Sequence, residues 1–90
     1  MPVLKFPPSM KFYVDGQTEF EVSGRTVGEL VDNLVARYPG VKPHLIDSKG
    51  ELRRYFNFFV NGVHIRELNG LDTLLKEDDK VILMASAAGG

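Results

Sequence analysis

Two glycines end the chain, Gly89-Gly90, behind Ser86-Ala87-Ala88. Five such residues, fully extended, reach roughly 17 Å, so they would form a thin, flexible arm tipped by a carboxylate. A free α-carboxyl group has a pKa near ~3.5 and is an anion at neutral pH, which makes it a poor electrophile. Joined to a better leaving group such as AMP, the acyl carbon of Gly90 becomes open to attack by sulfur or by an amine. An enzyme that makes that bond must thread the terminus through a covered channel, and glycine lets backbone approach closely because it has no Cβ. Gly90 is therefore the candidate reacting residue. Gly89, Ala88 and Ala87 are the candidate access residues, which matter through their small size.

Other chemistry finds little support. The chain has no cysteine, which excludes a disulfide scaffold, a thiolate metal site and a cysteine nucleophile. His44 and His64 stand far apart in sequence with no second histidine at i+4, whereas zinc needs three or four converging ligands, so both read as surface residues and no metal site is expected. Ser9, Ser23, Ser48 and Ser86 lack a nucleophile-elbow context. Ser23-Gly24-Arg25-Thr26 has no lysine where a phosphate loop needs one. Asp78-Asp79 reads as a solvated turn. Eleven basic residues against twelve acidic ones leave a net charge of −1, without the basic footprint of a nucleic-acid binder. No apolar run approaches the ~20 residues of a membrane span, and the N-terminus lacks a signal-peptide pattern. With no disulfides to form, a cytoplasmic location is expected.

The arm needs a body to carry it. Ninety residues, 43% hydrophobic and 26% charged, make one small globular domain with a radius of gyration of roughly 12 Å. Val3-Leu4-Lys5-Phe6 is a short strand candidate, stopped by Pro7-Pro8 because proline has no N–H to donate. Met10–Val14 reads as its continuation past a bend or as loop. Asp15-Gly16 is a turn dipeptide, and Thr18–Val22 alternates apolar and acidic residues, so the opening third is expected to be a β-hairpin. Val27, Leu30, Val31, Leu34, Val35 and Tyr38 form one apolar stripe at helical spacing. Thr26 and Glu29 are spaced as a capping box, Gly28 is expected to let the first turn approach the sheet, and Pro39-Gly40 ends the helix. Residues 41–52 read as loop. Tyr55–Val60 is a second strand, Asn61-Gly62 a hairpin turn, and Val63-His64-Ile65 the return. Gly70–Leu75 holds a short helical turn, and Lys80–Met84 is the last strand. This order predicts an α+β domain of the β-grasp, ubiquitin-like kind. It would have a mixed sheet of four to five strands, one main helix across one face, and the first and last strands paired in the middle. Residues 1–85 would be the domain and 86–90 the tail.

Alternation also predicts a partner surface. With Phe58, Val60, Val81 and Leu83 turned to the helix, Phe59, Ile82 and Met84 point the other way and form an apolar patch just before the tail, with Arg54 and Arg66 as a polar rim. Soluble monomers seldom leave a large apolar patch without a use, and methionine adapts to more than one partner.

Four segments carry a resemblance: Thr26-Val27-Gly28-Glu29-Leu30, Phe58-Phe59-Val60-Asn61-Gly62, Glu77-Asp78-Asp79-Lys80-Val81 and Ala87-Ala88-Gly89-Gly90. In that order and spacing the chain resembles a MoaD/ThiS-type sulfur carrier of the ubiquitin-like superfamily. Leu52–Asn57 and the tail are most similar to the carrier of the actinobacterial cysteine-biosynthesis route. The resemblance implies a protein co-substrate, not an enzyme, that binds no cofactor of its own. A ubiquitin-activating-type adenylyltransferase would use ATP to adenylate Gly90, and sulfide or a persulfide donor would convert it to a thiocarboxylate. A sulfur-accepting biosynthetic enzyme, for an amino-acid precursor, molybdopterin, thiamin or a tRNA base, would then take the sulfur. Carriers made with residues beyond Gly-Gly also need a processing metalloprotease. Two other uses stay open: conjugation to lysines as a ubiquitin-like modifier, and a non-covalent interaction module in which Gly-Gly has no role.

Overall fold

The computed structural model describes residues 1–86. Its strands are β1 (Val3–Lys5), β2 (Glu19–Glu21), β3 (Phe56–Val60), β4 (Val63–His64) and β5 (Lys80–Ala85), and its α-helices are α1 (Val27–Arg37) and the short α2 (Lys42–Leu45). They form one mixed sheet in the order β2-β1-β5-β3-β4. β1 and β5 are parallel and central, and the other neighbours are antiparallel. The radius of gyration is 12.0 Å.

Alternation places the core. Leu4, Phe20, Phe56, Phe58, Val60, Val81 and Leu83 line the inner face of the sheet, and all are buried against Val27, Leu30, Val31 and Leu34 of α1. Thr26 caps α1, its side chain accepting from the Glu29 N–H at 3.1 Å. The glutamate of the box reaches one residue further back than expected. Its Oε1 accepts from the Arg25 N–H at 3.3 Å, and Thr26 also stands opposite Leu74 in an isolated bridge. Gly28 meets no sheet either. A Cβ there would lie 3.2 Å from the Leu71 carbonyl, so the close approach is to the 3₁₀ turn Gly70–Asp72, the short turn anticipated between residues 70 and 75.

Two segments depart from the pattern reading. The opening third is an antiparallel strand pair as expected, but its connection is not a tight turn at Asp15-Gly16: β2 pairs with Val3–Lys5, and residues 8–14 between them coil into a 3₁₀ helix. Asp15 and Gly16 do take positive φ, 57° and 78°, but they close that 3₁₀ helix, where the Gly16 N–H donates to the Lys11 carbonyl at 2.8 Å. Pro7-Pro8 ends the β1 ladder, and the 3₁₀ helix that follows carries Met10 and Val14 into the core. Residues 41–52 are not plain loop: Val41 and Leu45 are fully buried, anchoring a 3₁₀ turn and α2 beneath α1. The Asn61-Gly62 turn forms as expected, with φ of 49° and 88° joining Val60 to Val63.

Candidate functional site: the outer face of the sheet and the root of the tail

On the face away from α1 the registers bring side chains together in rows. Phe59 lies opposite Ile82, Asn57 opposite Met84, and His64 opposite Phe59. Met84 is 52% exposed, while Phe59 and Ile82 are half-buried. The Phe59 ring meets the His64 imidazole edge to face, with centroids 5.1 Å apart. Arg54 and Arg66 are exposed and line one cleft of about 240 Å³ with Asn57 and His64. Among the described residues no carboxylate pairs with either arginine. Phe59, Ile82 and Met84, the three residues that alternation singled out, therefore share the outer face, and Arg54 and Arg66, expected as its rim, line a cleft with Asn57 and His64.

A polar chain runs across that face to the end of β5. The His64 Nδ1 accepts from the Arg66 N–H at 2.9 Å. That leaves the proton of the neutral ring on Nε2, which donates to Asn57 Oδ1 at 2.9 Å. Asn57 Nδ2 in turn donates to Ser86 Oγ at 2.8 Å, and the Ser86 N–H donates to the Tyr55 carbonyl at 2.6 Å. His64 is thus not a simple surface residue. It caps the 3₁₀ turn Ile65–Glu67 and steadies the asparagine that holds the last described residue. Sequence reasoning missed this chain because its members lie apart in sequence; the signal available was that Asn57 and His64 both fall on the outer phase of the β3–β4 hairpin. Gly90, Gly89, Ala88 and Ala87 lie outside the described residues.

At the far end of β5 the reading of Asp78-Asp79 as a solvated turn holds for Asp78 only. Asp79 is 8% exposed. Its carboxylate accepts from the Lys76 N–H at 2.8 Å and from Asn61 Nδ2 at 3.0 Å, and these bonds, the backbone one first, hold its pKa below the ordinary value. It ties the turn before β5 to the β3–β4 hairpin. Among the described residues no three histidine, cysteine or acidic side chains converge as a metal site, and no helix is long and apolar enough to cross a membrane.

One main helix lying across a mixed sheet, with parallel central strands that come from opposite ends of the described chain, defines a ubiquitin-like β-grasp protein. The ThiS family profile matches residues 8–90, and the chain belongs to that family of sulfur carriers. It is 33% identical over 89 residues to the sulfur carrier protein CysO of Mycobacterium tuberculosis, spanning 97% of this chain and 96% of that one. It is 35% identical over 65 residues to small archaeal modifier protein 3 of Haloferax volcanii, spanning 72% and 70%. A chain in the crystal structure of the Amycolatopsis orientalis BexX/CysO complex superposes with a TM-score of 0.89 at 28% identity, over all of both chains.

Proposed function

We propose that this chain carries sulfur as a thiocarboxylate on Gly90. The Gly90 carboxylate oxygen attacks the α-phosphorus of ATP in a ubiquitin-activating-type adenylyltransferase, and pyrophosphate leaves. Hydrosulfide then attacks the acyl carbon, AMP leaves, and one proton is released as the thiocarboxylate forms. A biosynthetic enzyme takes the sulfur and water restores the carboxylate. The observation that carries this reading is a family match running to residue 90 itself, together with identity to CysO over nearly the whole chain. That relationship favours an amino-acid precursor as acceptor, and a chain without cysteine fits chemistry in which sulfur rides on a carbonyl in a reducing, cytoplasmic setting. Similarity to a chain crystallised as part of a BexX/CysO complex supports a carrier that acts with partner proteins, and the outer Phe59–Ile82–Met84 face, rimmed by Arg54 and Arg66, is the surface we assign to them.

The similarity to a small archaeal modifier protein favours one second reading, conjugation of the same adenylate to lysines. One experiment separates the two. The chain is incubated with its adenylyltransferase, ATP and sulfide, and its intact mass is measured. Exchange of one oxygen for one sulfur is expected. Higher-mass lysine conjugates would instead mark a modifier, and an unchanged mass a non-covalent module.

A further inference from the structure

Among the described residues, the backbone of β5 is left unpaired on one side near its end, and the cause is Pro7. The Asn61 N–H donates to the Lys80 carbonyl at 2.8 Å and the Ser86 N–H to the Tyr55 carbonyl at 2.6 Å. Even-numbered residues of β5 therefore bond β3, and odd-numbered ones face β1. On the β1 side the Val3 N–H donates to the Asp79 carbonyl at 3.0 Å. The parallel register Val3–Lys80, Leu4–Val81, Lys5–Ile82 carries the ladder forward until the Leu83 N–H meets the Lys5 carbonyl. The next rung requires an N–H on residue 7 for the Leu83 carbonyl, and Pro7 has none. The rung after that requires the Pro7 carbonyl for the Ala85 N–H. That carbonyl has turned into the 3₁₀ helix, where it accepts from the Met10 N–H at 2.9 Å.

The Leu83 carbonyl and the Ala85 N–H thus form an open edge on a strand that is otherwise central. A cleft of about 490 Å³ runs along it, lined by Phe6, Pro7, Pro8, Ile82 and Met84 among others. Open edges are normally capped or covered because they recruit other strands. This one lies five to seven residues before Gly90 in the chain, so an enzyme that seats Gly90 must come close to it.

We propose that this edge is a strand-addition site for an extended main-chain segment of the activating adenylyltransferase. That segment offers an N–H to Leu83 and a carbonyl to Ala85 and lays an apolar side chain into the Phe6–Pro8–Met84 cleft. The proposal rests on the sulfur-carrier reading. Two measurements on the full chain with that enzyme test it. Amide hydrogen exchange at Ala85 slows at least tenfold in the complex, the loss of solvent access that a new backbone hydrogen bond brings. Pro7→Ala supplies the missing N–H, lets β1 close the rung at Leu83, and weakens binding about tenfold, the equivalent of one hydrogen bond, without lowering the thermal midpoint. If the parent chain is charged on Gly90 while Ala85 exchange and the Pro7→Ala affinity are unchanged, the edge proposal is overturned and the carrier reading stands. If the parent is never charged, both fall. Concentration-dependent protection of Ala85 in the free protein would assign the edge to a second copy of this chain and overturn the enzyme as occupant.

Discussion

Gly90 has no side chain, so its expected role depends entirely on where its carboxylate arrives. Removing it draws the reactive carbon back by up to ~3.5 Å, beyond what positioned attack tolerates. Deletion of Gly90 is expected to abolish thiocarboxylate formation, read by intact mass, and to leave the thermal midpoint within a degree or so, since no core residue is touched. Asp79 is the opposite case, a residue that works through its bonds. Its folded-state pKa is depressed, so its stabilising effect is present above the unfolded carboxylate value of ~3.9 and is lost as pH falls through the lower folded value. Asp79→Ala strands the Lys76 N–H and the Asn61 amide and is expected to cost roughly 1–3 kcal/mol at neutral pH. Urea unfolding of parent and variant at falling pH should show that gap closing below ~3.9. A gap that stays constant across that range would mean that the carboxylate charge contributes nothing.

At the scale of elements, α1 carries the core. Leu34 is fully buried between the sheet and the segment Pro39–Leu45. Leu34→Ala is expected to cost 2–5 kcal/mol, a large share of the ~5–15 kcal/mol typical of a domain. Chemical denaturation measures this, and a loss below half a kcal/mol would show that the stripe does not face the core. Legibility followed period and turn chemistry. The α1 stripe, the alternation of β3 and β5 and the Asn61-Gly62 turn repeat within a few residues, so they could be read locally. The first segment could not. Pro7-Pro8 announced a break, but whether Met10–Val14 coils or extends depends on which of its side chains the distant core accepts. Gly24 was not read either: a Cβ there would stand 2.6 Å from the Leu30 backbone nitrogen, a contact set by how the chain folds back on the first turn of α1. At the site, Phe59, Ile82 and Met84 followed from alternation alone, whereas the His64–Asn57–Ser86 chain needs the cross-strand register.

At the scale of the whole molecule, the sheet separates two tasks: one face builds the core, and the other is free to meet partners. Phe59→Ala and Met84→Asp alter only the free face. They are expected to weaken binding to the activating enzyme by about 1 kcal/mol or more, the order of a hot-spot loss, while disturbing folding less than Leu34→Ala does. Calorimetric titration decides this, and parental affinity in both variants would move the docking surface elsewhere. The central pairing has a consequence in time. Val3 pairs with Lys80 and Leu4 with Val81, so the middle of the sheet is assembled from the first and last strands to leave the ribosome. Contacts of such sequence separation form late and slowly. A nascent or prematurely released chain therefore owns neither a closed sheet nor the outer row of side chains on β5. The order of synthesis then acts as a quality checkpoint: the surface proposed to meet an activating enzyme comes into existence only after residue 85 has been made and the domain around it has folded.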